Sequence, residues 1–110
     1  MSKRHSLLSR IKKRKWGNEL IETNKNCFYC DTPFNDFNEY DRMTGDHIIP
    51  KCRGGKIVEH NIVLACNMCN AVKDNTDFIK FYMFAQLYIK HNRMNSISKL
   101  NHEYRRIRNG

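Results

Sequence analysis

The apolar positions fall into three patterns along the chain. Near the start, Leu7, Leu8, Ile11 and Trp16 recur at loose helical spacing among basic residues, which predicts a helix with one docked face and one basic face. In the middle, Ile48 with Ile49 and Ile62 with Val63 and Leu64 form short apolar runs that read as strands, with Gly54 and Gly55 marking the loop between them. Toward the end the period is helical. A helix opening near Asn75 or Thr76 as N-cap, with Asp77 favourably placed for the helix dipole, runs through Phe78, Phe81, Phe84 and Leu87. It is apolar nearly all round, so two faces need cover; the metal module and the last helix supply it, and a homodimer contact is the alternative. The last helix, starting at Ser96, carries a single stripe of Ile97, Leu100, Tyr104 and Ile107. This aromatic content at helical spacing is read as core packing, not as base stacking.

Cysteine spacing changes this picture. Cys27 with Cys30 and Cys66 with Cys69 form two C-x-x-C pairs, and Cys52 stands alone between them as a free thiol. Each pair turns two sulfurs toward one point, and two pairs complete a tetrahedral four-thiolate zinc site with no position left for substrate. The zinc is therefore read as structural. Its binding energy becomes folding energy, which matters for a chain of 110 residues with room for a modest core. The second knuckle begins a helical spacing that brings Asn70 and Lys73 onto one face, so the middle of the chain reads strand, loop, strand, helix. The expected division is a basic N-terminal helical or flexible segment over 1–26, a metal-stapled module over 27–75 and a C-terminal helical segment over 76–110.

Charge points to the partner. The formal net charge is +9. Lys3, Arg4, Arg10, Lys12, Lys13, Arg14 and Lys15 crowd the first fifteen residues without an acid, and a second basic cluster lies near the other end. Such clusters attract nucleic acid through counterion release. DNA is the expected partner, and the same charge is compatible with RNA. No apolar run of membrane-spanning length occurs, and the opening residues lack the pattern of a secretory signal. The expected setting is reducing and intracellular, in cytoplasm or nucleoid, or in the nucleus with Lys12 to Lys15 as an address.

The insert between the knuckles carries the chemistry. In order it holds C-x-Y-C, D-H-I-I-P from Asp46, the glycine pair, N-I-V-L-A-C from Asn61 and C-N-x-x-K from Cys69. This series resembles the HNH endonuclease family, covering residues 27 to 75, as an H-N-N variant whose letters fall on His47, Asn61 and Asn70. The resemblance implies an α+β fold built on a small ββα-metal (His-Me finger) module, stapled by the zinc knuckles and flanked by helices. It also implies a metal-dependent DNA endonuclease, nicking or cutting both strands, of a kind suited to phages or mobile elements. His47 is then the general base, its neutral imidazole available near neutral pH. Asp46, on the opposite side of the strand from His47, and Asn70 are implied ligands of a catalytic Mg²⁺ or Mn²⁺. Asn61 is implied to hold the loop and orient His47 by a hydrogen bond. Lys51, Arg53 and Lys73 are read as phosphate contacts, alongside the basic run Lys12, Lys13, Arg14 and Lys15. His60 is read as a solvent-facing loop residue. The competing reading is a zinc-stapled nucleic-acid-binding module without turnover.

Overall fold

The computed structural model describes residues 6–74, 76–91 and 97–109, with the side chains of Ile97, Arg108 and Asn109 left aside. Helix α1 (Leu7–Lys12) starts where the Ser6 hydroxyl accepts the Ser9 amide at 3.1 Å, satisfying one of the unpaired donors of a first turn. Helix α2 (Lys15–Thr23) follows after a short turn. The two helices touch backbone to side-chain position: a Cβ on Gly17 would lie 1.9 Å from the Ile11 carbonyl oxygen, so only glycine fits. Ile11 is fully buried, while the cations of this segment lie at or near the surface. The expected helix is thus two short ones with the expected division of faces.

Strands β1 (Met43–His47) and β2 (Ile62–Cys66) form an antiparallel pair in which Asp46 faces Val63 and His47 faces Ile62 across the ladder. The apolar run over 62–64 is the heart of β2, which is buried at every position. Ile48 and Ile49 are not the first strand. They lie just beyond it, with Ile49 exposed, and the strand proper is the polar Met43-Thr44-Gly45-Asp46-His47. Its residues are held by the ladder to β2 and by packing under α1, so no apolar alternation betrays it. Helix α3 (Asn67–Lys73) follows β2 at once.

Helix α4 (Phe78–Phe84) is capped by Asp77, whose carboxylate accepts the Lys80 amide at 3.0 Å. The expected caps differ: Thr76 instead donates to the Lys73 carbonyl at 2.6 Å and accepts from Tyr104 at 2.9 Å, and Asn75 lies outside the described residues. The helix continues as a wider π-turn over Ala85–Ile89, marked by the Lys90 amide reaching back to the Ala85 carbonyl. Helix α5 (Ile97–Asn109) presents Leu100 and Tyr104 to the core; Ser96 lies outside the described residues. The core gathers Tyr29, Met68, Val72, Phe81, Phe84, Ile89, Leu100 and Tyr104 around the four paired cysteines. One face of α4 is covered in this way. The other is bare, with Ile79, Met83 and Leu87 each more than half exposed. No helix among the described residues is long and apolar enough to cross a membrane.

Candidate metal centre and active site

The first knuckle is a tight turn closed by the Asp31 amide on the Cys27 carbonyl at 3.0 Å, with Asp31 in a left-handed conformation (φ 63°). It is tied to β2 by the Phe28 amide on the Leu64 carbonyl at 2.9 Å. The second knuckle sits at the junction of β2 and α3, where the Cys66 sulfur accepts the Cys69 amide at 3.4 Å. All four sulfurs lie within 4.8 Å of one another and all four residues are buried. The Cys30 and Cys66 sulfurs are 3.8 Å apart. Thiolates bound at about 2.3 Å in a tetrahedron are separated by about 3.8 Å, so the residues fit a zinc ion and not a pair of disulfides. Hydrogen bonding to Cys27 and Cys30, with burial, pushes the Cys66 and Cys69 thiols up. Cys52 lies apart and exposed.

A second polar cluster sits at the end of β1. Because successive strand residues face opposite ways, Asp46 turns inward and is 6% exposed, while His47 turns toward solvent and is half-buried. Asn70 reaches the same place from α3. Its amide nitrogen donates to the Gly45 carbonyl at 3.1 Å and to the Thr44 hydroxyl at 3.0 Å. A carbonyl can only accept, so the amide is oriented with Oδ1 turned away from β1, free of any donor among the described residues. Asp46, His47, Pro50, Lys51, Asn70 and Lys73 line one polar cavity of about 220 Å³. A carboxylate and an amide oxygen on such a cavity are hard donors of the kind that hold Mg²⁺ or Mn²⁺.

The Asp46 carboxylate already has two partners. Tyr29, in the first knuckle, donates its hydroxyl to Oδ2, and the Lys73 ammonium lies 3.2 Å from the same oxygen. Burial pushes the Asp46 carboxyl up, against the pull of the Lys73 charge and the Tyr29 hydroxyl. Burial, followed by the Asp46 charge, pushes the Tyr29 phenol up, so it stays a donor. Burial also pushes the His47 imidazole down; the nearby Asp46 charge opposes this, and the Lys51 and Lys73 cations reinforce it. The neutral form, with a lone pair to accept a proton, is favoured.

Lys73 does not face outward. It is 1% exposed, donating to the His47 carbonyl at 3.2 Å as well as pairing with Asp46, so the expectation of a surface phosphate contact is corrected: α3 carries this side chain inward, under the end of β1. Asn61 is also redirected. Its Oδ1 accepts the Ile49 amide at 2.7 Å, and its Nδ2 donates to the carbonyls of Ile49 at 3.2 Å and Lys56 at 3.0 Å. These bonds clamp the loop 48–61 at both ends, and the His47 side chain is not among its partners. Lys51 and Arg53 are exposed on a short turn of 3₁₀ helix. Lys12, Lys13 and Lys15 are exposed, while Arg14 is half-buried and lines a cleft beside His47. His60 is exposed. Arg10, expected only as part of the basic cluster, lines the same cleft, and Tyr29 and Lys56 join this neighbourhood with no role expected from the sequence. The tyrosine between the first two cysteines was the available signal for Tyr29.

Residues 27–78 match the model of the HNH endonuclease family. The segment is an HNH domain. The match runs from Cys27, the first cysteine of the cluster, through α3 to the first residue of α4, so both polar clusters lie within it. No curated protein matches the chain. Membership of the HNH domain in an endonuclease family implies nucleic acid as the substrate class, and the strongly basic charge agrees with a polyanionic partner. The N-terminal helix packs on this segment: Leu7 and Ile11 of α1 lie against Gly45 of β1, next to Asp46.

Proposed function

We propose that this protein is a metal-dependent DNA endonuclease that hydrolyses phosphodiester bonds at the cavity between β1 and α3. The observation that carries this reading is the meeting of Asp46 and His47, from one strand end, with Asn70, from the following helix, on a single polar cavity. A zinc-stapled binding module has no need of that convergence. The four-cysteine cluster is read as the structural zinc site, and Asp46 with Asn70 Oδ1 as the residues that hold a catalytic Mg²⁺ or Mn²⁺. That ion, when bound, supplies charge stabilisation to the phosphate and to the departing oxygen.

The chain's own residues do the rest. His47, neutral and half-exposed at the rim of the cavity, takes a proton from the attacking water. The antiparallel ladder with Ile62 holds the His47 backbone, and the Lys73 ammonium holds its carbonyl, so the imidazole is presented from a fixed strand. Asn61 keeps the loop beyond His47 closed. Lys51, exposed beside His47, offers a cation to the phosphate.

The deciding experiment is cleavage of supercoiled plasmid by the zinc-loaded protein with Mg²⁺, with Mn²⁺ or with neither, beside His47→Ala. Metal-dependent relaxation is expected, reduced on the order of 10²-fold or more in the variant with folding retained. Undiminished cleavage by His47→Ala would overturn the assignment of the base. DNA binding without cleavage under either metal would leave a binding module.

A further inference from the structure

A cleft of about 610 Å³ opens beside His47, outside the polar cavity just described. One wall comes from the N-terminal segment, with Arg10 and Arg14; the other comes from the loop 51–58, with Lys51 and Lys56, and no acidic residue lines it. Arg10 and Arg14 lie outside the segment that matches the HNH family, so nothing in that match accounts for them.

Both walls are held rather than loosely apposed. A Cβ on Gly45 would come 2.6 Å from Ile11 Cδ1 and 3.0 Å from Leu7 Cγ, so the missing side chain is what lets α1 press against the strand carrying His47. Ile11 is fully buried there. The Arg14 guanidinium is drawn back across the end of α1 by a 3.0 Å hydrogen bond to the Arg10 carbonyl, which places the two arginines together. Opposite them, Gly55 fits directly against the Ile49 carbonyl, where a Cβ would fall 1.7 Å from the oxygen, and Asn61 ties the loop at Ile49 and Lys56. The result is a fixed channel with cations on both sides and His47 at its edge. Guanidinium forks and ammonium groups so arranged suit the successive phosphates of a nucleic-acid strand.

We propose that this cleft seats the sugar-phosphate backbone of the DNA strand presented to His47, with Arg10 and Arg14 on one wall and Lys51 and Lys56 on the other as its phosphate contacts. The proposal rests on the nuclease reading for what happens to that strand, but the binding it describes is measurable without turnover. The N-terminal helix is then part of the substrate site and not a generic basic tail.

The test is fluorescence anisotropy with a fluorescein-labelled DNA oligonucleotide, on zinc-loaded protein without added divalent metal, across a series of salt concentrations. Arg10→Gln/Arg14→Gln is compared with Lys80→Gln/Arg105→Gln, which removes the same charge from exposed positions on α4 and α5. The cleft variant should flatten the slope of log affinity against log salt by about 1.4 to 1.8, the worth of two phosphate contacts, while the control pair loses less than one contact. Lys51→Gln/Lys56→Gln, on the wall that does not include α1, should match the cleft variant and guards against a misfolded α1. Equal slopes for the cleft and control pairs would overturn the proposal by showing that only net charge matters. Loss of slope in a protein that cuts nothing would support the cleft while defeating the nuclease reading. Normal cleavage with equal slopes would do the reverse.

Discussion

The Lys73 ammonium lies 3.2 Å from the Asp46 carboxylate with both side chains out of solvent, 1% and 8% exposed. A buried charge that loses its partner is costly, so Lys73→Met should destabilise the protein by about 3–5 kcal/mol. Asp46→Asn/Lys73→Met should lose less than the two single changes added together, because no bare charge remains. Urea unfolding of the three variants and the parent checks both statements. Additive losses would mean that the two groups do not interact.

The sulfur cluster sets the second expectation. With four cysteines within 4.8 Å at the centre of the core, removing the metal should forfeit binding free energy on the order of 10 kcal/mol and unfold the chain. Metal analysis should find a single zinc per chain, and a strong chelator should abolish the helical circular dichroism signal. Cys69→Ser should behave like the chelated protein, whereas Cys52→Ser, at an exposed site, should be silent.

Asn61 makes three hydrogen bonds to the main chain of its own loop. Truncation to alanine should cost about 1–3 kcal/mol, since it leaves backbone groups near β1 without partners. Hydrogen exchange should show the Ile49 amide opening sooner in Asn61→Ala while amides of α4 keep their protection. Unchanged exchange at Ile49 would remove the clamp.

Gly45 should not accept a side chain at no cost. Gly45→Ala places a methyl 2.6 Å from Ile11 Cδ1, and overpacking of this kind costs about 1–3 kcal/mol. Ile11→Val deletes that δ-carbon, so Gly45→Ala/Ile11→Val should be more stable than Gly45→Ala alone, as read from thermal unfolding. A Gly17→Ala change should be worse than Gly45→Ala, because the obstacle there is the Ile11 carbonyl oxygen at 1.9 Å and cannot rotate away.

Local spacing along the chain was enough to identify the double cysteine knuckle, the buried strand over 62–64 and the two C-terminal helices. Each is a short-range pattern: i to i+3 for paired sulfurs, an unbroken apolar run for a strand covered on both faces, and a 3.6-residue period for a helix. The order of Asp46, His47, Asn61 and Asn70 was equally legible, and the structure brings Asp46, His47 and Asn70 to one cavity while Asn61 holds the adjoining loop. Tertiary structure decided the rest. Strand β1 is polar at the residues that matter, so its position follows from the ladder to β2 and not from any hydrophobic alternation. A lysine one turn beyond a cysteine knuckle looks like any surface cation until α3 is packed and the charge meets Asp46 in the interior. The role of α1 was hidden for the same reason. Arg10 and Arg14 line the cleft beside His47 through the packing of Ile11 and Leu7 on Gly45, a contact between residues more than thirty positions apart that no local period encodes.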